Sequence, residues 1–142
     1  MYAISQITTL IGAHRYGTAE TNIGFVLTDS RSLSFPEETL FFAIKTQRSD
    51  GHKYIQDLYN RGVRNFVVNR EYDVPKDLPK SNFLVVTDTV EALQRLAERH
   101  REEYDIPVIG ITGSNGKTTV KEWLYQLLFK DKRITRSPRS YN

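Results

Sequence analysis

The chain has 142 residues, of which 39% are hydrophobic and 26% are charged, a composition typical of a folded protein in water. It contains no cysteine, which excludes disulfide bonds and thiolate metal sites. No apolar run approaches the roughly 20 residues that a membrane-spanning helix needs. The N-terminus lacks the basic and apolar regions of a signal peptide. We therefore expect a cytoplasmic protein that has no membrane partner.

The net charge of +3 is concentrated near the C-terminus. Five basic residues and one acidic residue between positions 130 and 139 give +4, so the rest of the chain carries 3 − 4 = −1. A nucleic-acid binder more often spreads basic residues over a folded face with aromatic residues between them. We expect no nucleic-acid partner, and two interpretations of the basic end stay open: attraction for a polyphosphate, or an ordinary solvated face.

Short apolar runs alternate with helical patterns through the first two thirds of the chain. Strands are predicted at 23–28, 39–44, 65–69 and 83–86; helices are predicted after Ser5, at 52–61 and at 89–103, the last one capped by Asp88. The polar segment 14–21 and the segment 71–80, with two prolines, are predicted to be loops. This alternation predicts an α/β fold.

Residues 108–119 have the pattern of a phosphate-binding loop. An apolar run at 108–111, predicted to be a strand, leads into Thr112, Gly113, Ser114, Asn115 and Gly116, and a helical pattern begins with Lys117, Thr118 and Thr119. The glycines let the backbone turn its N–H groups around an anion, and the helix start adds its positive dipole end. Lys117 can reach phosphate oxygens, and the Thr118 hydroxyl can bind Mg²⁺.

The segment after this loop is short for a phosphate-loop domain. Val120, Trp123, Leu124, Leu127 and Leu128 repeat at helical spacing and predict a helix packed on a sheet, with Trp123 in the core. Another strand is predicted from Ile134. Because such domains normally have several more strands, we interpret residues 88–142 as the truncated start of an ATP-binding domain, and the sequence as a fragment.

Two polar clusters follow apolar runs in the first half: Asp29, Ser30 and Arg31, and Asp50, Gly51 and His52. Arg31 could pair with a substrate phosphate or with Asp29, and residues of this kind also cap turns. His52 could contact a nucleotide or lie in the first turn of a helix. His14 and His100 are interpreted as structural.

The loop sequence, Thr-Gly-Ser-Asn-Gly-Lys-Thr-Thr, resembles the ATP loop of the Mur ligases and the folylpolyglutamate synthases, with Ile111 where the common pattern has its first glycine. Segments 28–31, 40–45, 50–52 and 62–68 look like the N-terminal substrate domain of Mur ligases. Their order is most similar to the MurF type, the UDP-N-acetylmuramoyl-tripeptide–D-alanyl-D-alanine ligases, and segment 134–142 is similar to the next conserved segment. Thr46 departs from the glycine often found there.

The resemblance implies a three-domain, ATP- and Mg²⁺-dependent ligase of peptidoglycan precursor synthesis. Residues 1–87 would hold the UDP part of UDP-N-acetylmuramoyl-tripeptide through the two polar clusters, and residues 88–142 would begin the ATP domain. The peptide carboxylate would attack the γ-phosphate, and D-Ala-D-Ala would displace phosphate from the resulting acyl phosphate. The catalytic group in this sequence would be Lys117, and Thr118 would bind Mg²⁺. We expect the 142-residue chain alone to be inactive.

Other functions stay open at this point. The sequence is most similar to bifunctional chains in which an alanine racemase follows the ligase. A MurE-type ligase or a polyglutamate ligase shares the same loop, although the Asp29–Arg31 cluster argues against the latter. A nucleotide-binding module without catalysis is the alternative from a different class. A glutamate for Mg²⁺ and a lysine suited to carbamylation after residue 142 would favour the ligase.

Overall fold

The computed structural model describes residues 1–137, so that Arg139 and the end of segment 134–142 lie outside the described residues. The strands are β1 (Tyr2–Ala3), β2 (His14–Tyr16), β3 (Asn22–Ile23), β4 (Phe25–Leu27), β5 (Thr39–Phe42), β6 (Asn65–Asn69) and β7 (Asn82–Val86). The α-helices are α1 (Ile4–Leu10), α2 (Ile55–Asn60), α3 (Thr89–Glu102) and α4 (Lys117–Leu128). Short 3₁₀ helices occupy Ser30–Ser32, Pro36–Glu38 and Gly51–Tyr54.

A five-stranded sheet organises the first part of the chain. Its order is β2-β7-β6-β5-β4, in which β4 to β7 are parallel and β2 pairs antiparallel with β7 at one edge. Strands β1 and β3 form a separate antiparallel pair. The predicted α/β fold is therefore confirmed, and the structure shows that most of its sheet is parallel. Carboxyl ends of parallel strands meet at one edge of a sheet, which is where ligands bind in open α/β folds.

Two apolar layers cover the two faces of this sheet, because successive strand residues point to opposite sides. One layer packs with α1 and α3 and contains Ile4, Ile7, Leu40, Phe42, Val67, Leu84, Val86, Ala92 and Leu96. The other packs with α2 and segment 70–80 and contains Phe41, Ala43, Ile55, Leu58, Phe66, Val68, Leu78 and Phe83. Both faces are buried, as parallel sheets require.

The observed start of α3 agrees with the sequence prediction, and the observed start of α1 does not. Oδ1 of Asp88 accepts from the N–H groups of Val90 (2.7 Å) and Glu91 (3.1 Å), which confirms the predicted cap. Helix α1 begins one residue before Ser5, and its cap position is Ala3, whose N–H donates to Oε1 of Gln6 at 3.0 Å. The sequence predicts the start of this helix after Ser5, with Ser5 as its cap, and that prediction was wrong.

Segment 14–21, predicted to be a loop, contains the edge strand β2. Its residues are polar because one side of an edge strand faces water. The strand is held by Arg15, whose Nε donates to Oδ1 of Asn82 at 3.1 Å and whose side chain pairs with Glu20. Nothing in the apolar pattern of the sequence signals such a strand.

The chain forms two compact units, and the first one ends at Tyr104. The boundary predicted at residue 87 falls before α3, whereas Ala92 and Leu96 of α3 are buried in the same apolar layer as Ile4 and Ile7 of α1. Helix α3 is therefore part of the first unit. No helix within residues 1–137 is long and apolar enough to cross a membrane.

The second unit begins at Asp105 and contains the predicted helix as α4. Residues 108–111 and 134–137 form no strand, contrary to the prediction, because no strand within the described residues lies beside them to share hydrogen bonds. The side chain of Trp123, predicted to be core, is 63% exposed, and Leu127 is 72% exposed. The apolar stripe of α4 therefore has no sheet to cover it in the described part of the chain.

Candidate functional site

The phosphate-loop residues have the backbone conformation that the sequence predicts. Gly113 has a φ of 147° and Gly116 a φ of 77°, values in the left-handed region that only glycine adopts without strain. Gly116 is the residue before α4, and its carbonyl accepts from the N–H of Val120 at 2.9 Å. The loop from Thr112 to Asn115 is exposed. Helix α4 therefore begins immediately after the loop.

The start of α4 presents positive charge. The first N–H groups of a helix have no partner within it, and the helix dipole is positive at this end. The first turn of α4 contains no acidic residue. Nζ of Lys117 donates to the Gly113 carbonyl at 2.6 Å, which places the ammonium group over the loop. Together these groups can hold an anion.

A metal ion at this loop would need ligands besides the protein. Residues 1–137 contain no group of three or more His, Asp or Glu side chains that could hold one. The hydroxyl oxygen of Thr118 is a ligand suited to Mg²⁺, a small hard ion that binds few protein groups together with phosphate oxygens and water. The residues present therefore fit a nucleotide-bound Mg²⁺ and not a metal held by the protein alone.

The first polar cluster directly follows strand β4. Oδ1 of Asp29 accepts from the backbone N–H of Arg31 at 3.1 Å, and the guanidinium donates to both carboxylate oxygens at 2.9 and 2.6 Å. These bonds lower the pKa of Asp29 to about 2. The Arg31 side chain is 87% exposed, so its outer face is available while it pairs with Asp29.

Helix α2 holds the same cluster from the other side. The Arg61 guanidinium, just after α2, donates to the Ser30 carbonyl at 2.8 Å and also contacts the Asp57 carboxylate at 3.4 Å. The Ser30 backbone is therefore fixed by an element outside its own turn. Its hydroxyl makes no hydrogen bond within the described residues, which leaves that group available to a ligand.

The turn after strand β5 explains the threonine at position 46. Oγ1 of Thr46 accepts from the N–H groups of Arg48 and Ser49 at 3.3 and 3.1 Å. Its backbone N–H donates to the Ser49 carbonyl at 2.7 Å. A side-chain hydroxyl thus closes the turn that brings the chain back to Asp50, where Lys45 and Asp50 pair as an isolated bridge.

Gly51 is required by a close approach of two backbone segments. A Cβ atom at this position would lie 2.8 Å from the Ile44 nitrogen and 3.0 Å from two backbone atoms of Ala43. The Gly51 N–H donates to the Ile44 carbonyl at 2.8 Å. The second polar cluster is thereby docked against the end of strand β5.

The imidazole of His52 is buried, and both of its nitrogens are occupied within the chain. Nε2 accepts from the Asn69 N–H at 3.2 Å, so Nδ1 carries the proton and donates to Oδ1 of Asp50 at 2.6 Å. This bond lowers the pKa of the Asp50 carboxyl. The ring also stacks on Tyr72, with centroids 4.9 Å apart. His52 therefore positions its neighbours rather than offering a free group to a ligand.

The two clusters follow the carboxyl ends of neighbouring parallel strands, β4 and β5, so the fold brings them to the same sheet edge. The phosphate loop belongs to the second unit. Sequence reasoning missed a groove of about 390 Å³ beside segment 70–76, between Tyr16 and Tyr72. The tyrosines and cations of that segment were the available signal.

The basic C-terminal end is partly engaged within the second unit. Arg136 pairs with Glu122, and its guanidinium lies 3.9 Å from the centroid of the Tyr125 ring. Nζ of Lys121 donates to the Ser137 carbonyl at 3.0 Å. The Arg136 charge is therefore used to dock this segment on α4.

The family model described as Mur ligase family, catalytic domain, matches residues 22–101. The match covers more than half of the chain and includes strands β4 to β7. The chain belongs to the Mur ligase family. The resemblance to Mur ligases is thereby confirmed over the segment that contains both strand-end clusters, and the match ends before the loop at 112–119.

This Mur ligase chain is similar in sequence to ligases of known type. It is 35% identical over 123 residues to the UDP-N-acetylmuramoyl-tripeptide–D-alanyl-D-alanine ligase of Bacillus subtilis, covering 87% of this chain and 26% of that protein. It is 33% identical over 114 residues to the UDP-N-acetylmuramoyl-L-alanyl-D-glutamate–L-lysine ligase of Staphylococcus haemolyticus, covering 77% and 22%. The chain thus spans about a quarter of the length of these relatives.

A solved structure has the same fold. The MurF ligase of Thermotoga maritima, in complex with ADP, superposes with a TM-score of 0.69 at 30% identity. The match covers 86% of this chain and 26% of that one. The arrangement of strands in this chain is therefore that of a MurF ligase.

Proposed function

We propose that this chain is part of an ATP-dependent MurF-type ligase, which joins D-Ala-D-Ala to UDP-N-acetylmuramoyl-tripeptide in the cytoplasm. In this proposal the first unit holds the UDP part of the acceptor, and the loop from Thr112 to Thr119 holds ATP. The observation that carries the proposal is the phosphate loop: two glycines with positive φ frame it, and Lys117 lies over it at the start of α4.

The loop suits the first chemical step, attack of the peptide carboxylate on the γ-phosphate. Negative charge develops on the transferred phosphoryl group, and donors already in place stabilise it best. Lys117 would move from the Gly113 carbonyl to the phosphate oxygens, while the backbone N–H groups of Gly116 to Thr118 would hold the others. Mg²⁺, bound with the nucleotide beside Thr118, would neutralise phosphate charge.

The two strand-end clusters suit the pyrophosphate and ribose of UDP. Arg31 supplies an exposed guanidinium, and the Ser30 hydroxyl is unpaired within the described residues. Asp50 accepts donors, and Gly51 lets the turn lie close to strand β5. His52 contributes by orienting Asp50. An NMR titration with UDP tests this assignment, because shifts that appear only at 113–119 would show that the UDP site lies elsewhere.

A MurE-type ligase is the second candidate, since the L-lysine ligase of Staphylococcus haemolyticus is similar over 114 residues. Both types would use the same loop and differ in the acceptor peptide and the amine. The described residues contain the elements proposed to bind UDP and ATP, which the two types share. An enzyme assay is therefore needed to distinguish a MurF-type from a MurE-type ligase.

The test is phosphate release by the full-length protein that contains this chain. UDP-N-acetylmuramoyl-tripeptide with D-Ala-D-Ala is compared with UDP-N-acetylmuramoyl-dipeptide given L-lysine or diaminopimelate. Turnover only in the first mixture supports the MurF type, and turnover only in the second supports the MurE type. Nucleotide binding without turnover in any mixture would favour a non-catalytic module. The 142-residue chain, assayed in parallel, is expected to be inactive, because precise positioning of the reactants is worth about 7–11 kcal/mol.

A further inference from the structure

The groove beside segment 70–76, hereafter the Tyr16–Tyr72 groove, contains neither the phosphate loop nor a residue of the two polar clusters, although its Tyr72 stacks on His52 of the second cluster. Its volume is about 390 Å³, within the range of small-molecule sites. It lies where the edge strand β2 and segment 70–76 flank Val85 of β7. Three strand spacings separate β7 from β4, about 14 Å in the hydrogen-bonding direction, so the Asp29–Arg31 cluster is not part of it.

One side of the groove is a preorganised aromatic ring. Tyr72 stacks on the buried His52 ring at 4.9 Å and lies parallel to Phe83 at 6.4 Å. His52 is itself fixed by Asp50 and by the Asn69 N–H. The ring of Tyr72 therefore needs little ordering when a ligand packs against it, which favours binding.

Exposed and half-buried apolar surface completes the groove. Tyr16 is 51% exposed, although its backbone is fixed opposite Phe83 in the β2–β7 pair. Val74 and Val85 are half-buried beside it. A flat ring placed here would cover apolar surface and contact tyrosine rings at their favoured separation.

Two cations also line the groove and have no side-chain partner. The side chains of Arg70 and Lys76 make no hydrogen bond or ion pair within residues 1–137, whereas nearby Lys45 pairs with Glu71. Asp73 is the acidic residue of the lining, and burial together with the charges of Asp73 and Asp77 raises the pKa of Tyr72. Arg70 and Lys76 pair with neither carboxylate, so an anionic group would be attracted to these two cations.

We propose that the Tyr16–Tyr72 groove binds a small molecule that joins a flat ring to a phosphate or carboxylate group. Arg70 and Lys76 bind the anion, and Tyr16 and Tyr72 contact the ring. Arginine offers a planar donor pair that matches either anion. The proposal does not depend on the ligase function, because it uses none of the residues assigned to ATP or UDP except His52. The role of His52 here is to stack on Tyr72 and hold that ring in place.

The test is an NMR titration of the ¹⁵N-labelled 142-residue chain with phenyl phosphate. We expect saturable shifts at the amides of 70–76 and of Val85. Arg70→Gln and Lys76→Gln should each weaken this binding about tenfold, the effect of losing a hydrogen bond between charged groups. Lys130→Gln, a change to an exposed cation of the second unit, should leave the affinity unchanged.

Two further measurements distinguish the contact with the ring of the ligand from the contact with its anionic group. Tyr16→Ser, at an exposed position that should not affect folding, is expected to weaken phenyl phosphate binding several-fold and to leave inorganic phosphate binding unchanged. Inorganic phosphate that binds the groove as tightly as phenyl phosphate would overturn the ring contact. Shifts confined to 113–119, or wild-type affinity in both Arg70→Gln and Lys76→Gln, would overturn the site itself.

Discussion

The imidazole of His52 donates from Nδ1 to the Asp50 carboxylate at 2.6 Å, two residues before it in the chain. Its other nitrogen accepts from the Asn69 N–H, so a single side chain joins the turn after β5 to the end of β6. This contact gives the histidine of the predicted UDP cluster a structural role of its own. It also makes the residue part of the core.

Replacing His52 with alanine should lower the free energy of unfolding by about 1–3 kcal/mol, since the half-buried N–H of Asn69 loses its acceptor. Urea unfolding followed by circular dichroism measures this, because the only tryptophan lies in the second unit. His14→Ala, at an exposed position, is the matched control and should change stability little. Equal destabilisation by both variants would contradict the role given to His52.

Gly51→Ala tests the close approach between the second cluster and strand β5. The added methyl group would meet backbone atoms of Ile44 and Ala43, which cannot move aside as a side chain can. We expect a loss of about 1–3 kcal/mol in stability, as for other overpacked sites. Gly110→Ala is the control, because a Cβ there has no atom within 4 Å and φ is not positive. An unchanged urea midpoint in Gly51→Ala would count against the close contact.

The correctly predicted elements are those that depend on short-range patterns in the sequence. Four parallel strands alternate with helical segments, and the Asp88 cap is readable from residue types alone. The glycines of the phosphate loop also determine its backbone, because few other residues adopt a φ near 77°. These features depend on neighbours in the chain and not on distant contacts.

Features that depend on distant partners were missed or wrong. Strand β2 is polar and exists because β7 offers a free edge. The role of His52 depends on Asn69 and Tyr72, which are far from it in sequence. The strand predicted at 108–111 has the right composition and no neighbour within the described residues to pair with. The composition of a segment indicates which secondary structure it can form. Whether that structure forms depends on the segments that pair or pack with it.

Arg31→Gln should raise the pKa of Asp29 from about 2 towards its ordinary value of 3.8, because the guanidinium is its main hydrogen-bond donor. The folded-state pKa lies below the unfolded one, so this pairing stabilises the fold above about pH 3.8. That contribution is lost as the pH falls from 3.8 towards 2. Carboxyl ¹³C shifts report the titration. Arg48→Gln should leave it unchanged, and an unshifted Asp29 in Arg31→Gln would disprove the pairing.

Lys117→Ala should weaken ATP binding by about 1.5–3 kcal/mol, the worth of a hydrogen bond to a charged group. Calorimetry at one fixed salt concentration gives the comparison, since charge effects fall with ionic strength. Lys130→Ala removes a charge from the same unit without touching the loop and should have a small effect. If the two variants bind ATP equally well, Lys117 does not contact the phosphates.

Two truncated chains test where the first unit ends. Residues 1–104 keep α3, whose Ala92 and Leu96 cover the layer that contains Ile4 and Ile7, whereas residues 1–87 lose it. Fully burying a side chain such as leucine is worth about 1.5–3 kcal/mol, so losing α3 removes several kcal/mol from a small unit. We expect 1–104 to give a dispersed NMR spectrum and a cooperative thermal transition, and 1–87 to give neither. A cooperative transition of 1–87 at the same temperature would place the boundary at residue 87, where the sequence alone predicted it, and would show that α3 does not stabilise the sheet.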